Sequence, residues 1–265
     1  MAGTIDWQAS GALATVTLSN PARMNAMTRA MWRQLREVFS QISERTDLRC
    51  VLVQGGGAHF CAGGDISEYP TFRFDPAALM HFHEAEVWGG LQAMLDCPLP
   101  VLALVRGNCM GAGLEIASCC DLRLGAASSV YGAPIARLGF PMAPREAALV
   151  QQAVGPATAQ AMLLAAERFD AAHMLQCGFL AWNTPDAMVQ TQADALLRRM
   201  EGLSPQAAPP VPAAGAHVAC GLCLCAKPAT PRGRASVFRQ APAGFLTYTR
   251  MLWFVHCQLV CWRTG

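Results

Sequence analysis

Apolar and β-branched positions alternate across residues 12–18 (ALATVTL), the period of a half-buried strand, and Asn20-Pro21 ends the run. From residue 28 the period becomes helical. Met31, Leu35, Val38 and Ile42 recur at near-helical spacing, Thr28 stands where an N-cap belongs, and the pattern runs to about Ser43. A short buried strand is predicted at 50–53, closed by Gly55-Gly56-Gly57, then a helix at about 76–95 and a buried strand at 101–105. The loop GNCMGAG enters an apolar helix near 114–119, and further helices are predicted at 145–153, 156–166, 171–176 and 187–201. Strands alternating with helices predict an α/β layered core, a pattern that many functions share.

The texture changes after Leu203. The stretch PQAAPPVPAAGAHVACGLCLCAKPATPRGR follows neither period, and five of the twelve Cys lie between 220 and 261. Charge divides at the same place. Residues 1–205 carry fourteen Arg, no Lys and all eighteen acids, whereas 206–265 carry one Lys, five Arg and no acid. The chain of 265 residues is therefore read as a domain over 1–207 and an atypical, poorly structured tail over 208–265. A net charge of +2 supplies no strong field toward nucleic acid or membrane. The N-terminus lacks the basic start and apolar run of a signal peptide, and no apolar run reaches the roughly 18 residues that span a bilayer. A cytoplasmic protein with reduced thiols is expected.

Two segments carry candidate chemistry. Phe60-Cys61-Ala62-Gly63-Gly64-Asp65-Ile66 follows a strand, and Arg106-Gly107-Asn108-Cys109-Met110-Gly111-Ala112-Gly113-Leu114-Glu115 joins a strand to a helix. Glycines let backbone N–H groups approach a ligand, and a helix N-terminus adds unpaired donors. Two such donors converging on one carbonyl oxygen make an oxyanion hole. Read alone, the same glycines also fit two ordinary tight turns.

Asn20-Pro21 with Asn25-Ala26, then FCAGGDI, then PVLALVRGNCMGAGLEIASCCDLRL, occur in an order and spacing that resemble the crotonase (enoyl-CoA hydratase/isomerase) family over residues 4–207. The resemblance implies a spiral ββα core with a C-terminal helical region, a trimer or hexamer, and an acyl-CoA thioester as substrate. It places the oxyanion-hole donors at the backbone of Gly64 and Ala112, the latter where many members have Gly. It places Arg23, Met24, Ala62, Asp65 and Ile66 along the CoA channel. Asp65 has a second reading as a helix N-cap.

Glu115 matches the first of two glutamates with which hydratases of this family activate and place water, and its apolar flanks suit a raised pKa. Its other reading is a solvated first-turn glutamate. The second glutamate should stand within Tyr131-Gly132-Ala133-Pro134-Ile135, and this chain has Ile135 there. Glu146 and Arg145 lie at the start of the next helix, with Glu146 read either as a substitute or as an exposed first-turn residue. Hydration is the leading expectation; isomerisation, another enolate reaction or an impaired acyl-CoA-binding protein are the alternatives.

The tail lacks the ending that family members carry. One permitted back-translation of residues 221–246, shifted by one base, yields His-Arg-Glu-Gly, then Lys-Arg-Pro-Pro-Val-Phe and a stop, which resembles that ending. A frameshift near residue 208 is the expectation. His217-x-x-Cys220-x-x-Cys223-x-Cys225 offers a rival zinc-site reading, though Cys223 and Cys225 are tightly spaced. Met251–Trp262 offers a membrane-attachment reading, interrupted by His256 and Gln258. The chain has no P-loop, dinucleotide fingerprint or G-x-S-x-G elbow, so no metal and no cofactor beyond the substrate's own CoA is expected.

Overall fold

The structure is a computed structural model and describes residues 3–139 and 141–203. The tail readings, including the zinc motif, the membrane segment and the frameshift, lie outside the described residues.

A six-stranded sheet forms the centre, in the order β1-β2-β3-β4-β6-β9. Its strands are β1 (Thr4–Ser10), β2 (Leu13–Ser19), β3 (Cys50–Gly55), β4 (Val101–Val105), β6 (Leu122–Ala126) and β9 (Trp182–Thr184). Only β1 with β2 is antiparallel; the remaining pairs are parallel. A smaller sheet pairs β5 (Asn108–Met110), β7 (Val130–Gly132) and β8 (Arg168–Asp170) in the order β5-β7-β8.

The core strands are buried on both faces, which explains their continuous apolar runs. Val51, Val53, Val101, Ala103 and Val105 face one cluster, which includes Trp32, Leu35 and Phe39 of α1 (Arg29–Ser43). Cys50, Leu52, Leu102, Leu104 and Leu124 face a second cluster, completed by Val189, Ala193, Leu196 and Leu197 near the sequence end of the described fold. Each such large side chain contributes about 1.5–3 kcal/mol on burial. Thr28 caps α1 as expected, its hydroxyl accepting from Met31 N–H at 3.2 Å.

The helix predicted over 76–95 is continuous but not uniform. It consists of α2 (Pro76–His81), a π-helical segment over Phe82–Val87 and α3 (Trp88–Leu95). The wider π turn brings Phe82, His83, Glu86 and Val87 all inward, which a regular helix of that length does not do. The later helices are α4 (Ala112–Ser118), α5 (Pro144–Val154), α6 (Pro156–Ala165), α7 (Ala171–Gln176) and α8 (Val189–Glu201). They match the predicted ones to within a few residues at each end. Among the described residues, no helix is long and apolar enough to cross a membrane.

Between β2 and α1 the chain turns through Met24 and Asn25, both with positive φ. Asn25 is 1% exposed and fastens the turn. Its Oδ1 accepts from Asn20 N–H at 2.9 Å, and its Nδ2 donates to the carbonyls of Gly56 at 2.9 Å and His59 at 2.7 Å. Asn20 Nδ2 donates to Ala26 O at 2.8 Å. The Asn-Pro…Asn-Ala motif thus serves as a brace between the two loops beside the sheet. Asn25→Ala removes all three contacts and puts alanine at positive φ, so it should destabilise the fold by about 3 kcal/mol. The midpoint of urea denaturation measures this; a shift under about 0.5 kcal/mol would show that the loops are held by other means.

Candidate active site

The two glycine-rich loops run side by side past the ends of β3 and β4. Phe60 N–H donates to Arg106 O at 2.8 Å, Cys61 N–H to Asn108 O at 2.9 Å, and Met110 N–H to Cys61 O at 2.9 Å. On its other side, the first loop pairs with the 20s turn. Met27 N–H donates to Gly63 O and Met27 O accepts from Asp65 N–H, both at 2.8 Å. In that parallel bridge the polar groups of Gly64 itself turn away from Met27.

The second loop turns into α4 at Gly111, whose φ of +48° is left-handed; a Cβ there would stand 3.6 Å from the Cα of Gly63. Ala112 follows as the first residue of α4 and has negative φ, so its N–H is a helix-terminal donor despite the methyl group. A Cβ on Gly113 would meet Cys61 O at 2.7 Å, which requires glycine there. Cys61 and Cys109 form a bridge between the loops and are both fully buried. Burial pushes the Cys61 thiol up to about 12 and the Cys109 thiol well above its ordinary value, so neither is a thiolate nucleophile.

The residues expected along the CoA channel share one rim. Ala62 N–H donates to Met24 O at 3.0 Å, and an Arg23 guanidinium nitrogen lies 3.8 Å from Asp65 Oδ1. Met24 and Ile66 expose apolar side chains. The N-cap reading of Asp65 is corrected. No α-helix starts there; Asp65 Oδ1 instead accepts from the N–H and hydroxyl of Ser67 at 3.1 and 2.6 Å, closing a turn.

Glu115 lies in the first turn of α4 and is 6% exposed, so the solvated reading does not hold. Burial, and then the neighbouring Glu146 charge, hold its carboxyl well above the ordinary range. Ile135 opens a 3-10 turn over Ile135–Leu138 and packs against the apolar core. Glu146 is not the exposed first-turn residue of the second reading. It is 4% exposed, because α5 packs its first turn inward against α4 and the π segment. Its Oε1 lies 2.9 Å from His83 Nδ1.

Tyr69 completes the group. A Cβ on Gly64 would stand 3.4 Å from the Tyr69 hydroxyl, and burial, then Glu146 and Glu115, push that hydroxyl up. Sequence reasoning missed Tyr69 and His83. For His83 a signal existed: Leu79, His83 and Glu86 follow helical spacing on the stripe that must face the core.

Other acidic residues of the same elements pair with arginines. Glu86 accepts from Arg29 Nε and Nη2 at 2.8 and 2.7 Å and from Arg33 at 3.0 Å. Burial alone would push the Glu86 carboxyl up; the two guanidinium groups outweigh it and lower it. Arg145 binds Glu84 at 2.9 Å and lies 4.4 Å over the Trp88 ring. Among the described residues, no group of three or more His, Cys, Asp or Glu could hold a metal ion. A cavity of about 410 Å³ lined by Val130, Arg137, Glu167, Arg168 and their neighbours shares no residue with this site.

Residues 8–215 match the family model described as "Enoyl-CoA hydratase/isomerase". The chain is 34% identical over 168 residues to a probable enoyl-CoA hydratase, EchA14, of Mycobacterium tuberculosis, covering 63% of this chain and 64% of that protein, just under two thirds. It is 35% identical over 116 residues to the mitochondrial Delta(3,5)-Delta(2,4)-dienoyl-CoA isomerase of Mus musculus, covering 41% of this chain and 36% of that one. Among solved structures, an enoyl-CoA hydratase/carnitine racemase from Magnetospirillum magneticum superposes with a TM-score of 0.74 at 35% identity, over 77% of this chain and 76% of the other. The α/β core, its two glycine loops and the matched span together establish that the chain belongs to the enoyl-CoA hydratase/isomerase, or crotonase, family.

Proposed function

We propose that the protein is an enzyme that binds a 2-enoyl-CoA thioester and hydrates it through an enolate. The observation that carries this reading is the convergence of the two glycine loops beside a buried Glu115. The N–H groups of Gly64 and Ala112 receive the thioester oxygen as negative charge develops on it. The protonated Glu115 delivers a proton to C2 of the enolate. Arg23, Met24, Ala62, Asp65 and Ile66 form the rim along which the CoA moiety lies. The raised Glu115 carboxyl supports the acid role, since the shift favours the protonated form that has a proton to give.

A second reading, double-bond isomerisation, draws support from Ile135, which removes one water-activating carboxylate, and from the isomerase relative. The two separate on products. Hydration of crotonyl-CoA abolishes the conjugated thioester absorbance, whereas isomerisation of a 3-enoyl-CoA creates it.

Glu115→Gln should lower hydration about 10²–10⁴-fold while leaving CoA-thioester affinity nearly unchanged, as read by steady-state rates and product-inhibitor titration. Unchanged turnover would remove Glu115 from the mechanism. Ala112→Pro tests the oxyanion donor without a side-chain change at a distance. Proline is tolerated at the first position of a helix, so the fold should persist while kcat falls about 10²–10³-fold. A variant with wild-type kcat would exclude the Ala112 N–H.

Glu115 also makes a pH statement. Its folded pKa is raised, so above the unfolded carboxylate range the folded state binds more protons and stability falls as pH rises through the folded value. The Tm of Glu115→Gln relative to wild type should therefore climb with pH across that window. A constant difference would show that Glu115 is not held neutral.

A further inference from the structure

We propose that Glu146, oriented by His83, is the second acid–base carboxylate of this site and activates the attacking water in place of the side chain at position 135. The proposal rests on the hydratase reading above and assigns a role which that reading leaves open.

A glutamate in the first turn of a helix ordinarily points to solvent, where the helix dipole favours it. Glu146 instead gives up solvent almost entirely, and burying a carboxyl is costly unless it is hydrogen-bonded. The structure meets that cost with two unusual features. The π turn over Phe82–Val87 moves His83 inward, where its Nδ1 lies 2.9 Å from Glu146 Oε1, so the tautomer with its proton on Nδ1 donates to a Glu146 carboxylate. The residue before Glu146 and the residue after His83 make a second clasp, Arg145 to Glu84 at 2.9 Å. Two adjacent pairs thus lock the start of α5 onto the π segment and hold Glu146 in one orientation.

The ion-pair contact of Glu146 is with His83, and three arginines pair with other carboxylates. The guanidinium groups of Arg29 and Arg33 bind Glu86, and Arg145 binds Glu84. Glu146 is left beside Glu115, with Tyr69 next to both and its hydroxyl against Gly64. The group therefore spans from the glycine loop to the carboxyl pair. Ile135, meanwhile, packs against the core and offers no proton acceptor.

The step balances on these groups. Glu146 carboxylate takes a proton from water as the water oxygen bonds to C3 of the enoyl thioester. The C2–C3 π electrons move to form the enolate, whose oxygen lies at the Gly64 and Ala112 donors. Glu115 then gives its proton to C2, and the enolate electrons form that C–H bond. Glu146 ends protonated and Glu115 ionised, and proton transfer through water between the two restores the starting state. His83 is a positioning residue and touches no reacting atom.

The experiment compares two reactions of the same samples: hydration of crotonyl-CoA, and exchange of the C2 protons of butyryl-CoA with D2O. Exchange needs the oxyanion donors and the ionised form of Glu115, reached once it gives its proton to solvent, but no activated water. Glu146→Gln keeps an acceptor for His83 and should lose hydration at least ~100-fold while exchange stays within about tenfold of wild type. Glu146→Asp keeps the acid and should hydrate faster than Glu146→Gln. For His83, His83→Asn retains an N–H donor and should keep more kcat than His83→Leu, with KM unchanged in both. The proposal is overturned if Glu146→Gln hydrates within tenfold of wild type, or if Glu146→Asp is the slower of the two, the order that a purely structural hydrogen bond gives. A wild-type protein that neither hydrates nor exchanges would instead overturn the hydratase reading itself.

Discussion

The site depends on parallel backbone pairing that does not stop where the strands do. Beyond β3 and β4, Phe60, Cys61 and Met110 go on exchanging hydrogen bonds with the facing loop, so the two glycine segments are fixed to one another as firmly as strands. The same first loop is paired on its outer side with Met27. A segment bonded along both edges cannot rotate its peptides freely, and the direction in which Gly64 presents its N–H follows from that constraint. Asn25 extends the same brace into the turn at Gly56 and His59. On the proposed reading, preorganisation of the oxyanion donors is thus a property of the sheet rather than of glycine flexibility.

The second constraint is electrostatic. Glu115 and Glu146 occupy one buried region, and the recorded ion pairs of Arg29, Arg33 and Arg145 all go to other carboxylates. Two carboxylates in such a place do not ionise independently, since the first charge raises the cost of the second. On the proposed reading Glu115 holds the proton that is delivered and Glu146 receives the one that water gives up. A site with one donor and one acceptor carboxyl has the composition that addition of water across a double bond needs, where one proton leaves and another arrives.

Three strands of the central sheet, β2, β3 and β4, and the glycine loops were legible in the sequence because their determinants are local, whereas β6 was not predicted. Continuous apolar runs at 50–53 and 101–105 mark strands buried on both faces, and Thr28 with the Met31, Leu35, Val38, Ile42 stripe marks α1. The two loops and Glu115 were legible through their motif. β1 was not, since its exposed edge position leaves only Ile5 buried and erases the alternation. The three-residue strands β5, β7, β8 and β9 are too short to show any period. Glu146 and His83 stand sixty-three residues apart, and their meeting requires a π turn, a feature that no periodic reading anticipates because it breaks the period it sits in.

On the proposed reading, that π turn gives the site a second acid although position 135 holds isoleucine. Position 135 sits in a 3-10 turn of four residues. Glu146 sits on an eleven-residue helix that begins with Pro144 and is clasped twice to the continuous run over 76–95. A carboxylate on such an element is held by packing on several sides, and side chains placed on rigid elements keep their geometry better than those on loops. The isoleucine at 135 adds apolar contact to the core. On the proposed reading, the helix-borne carboxylate supplies the acceptor that an isoleucine at 135 cannot.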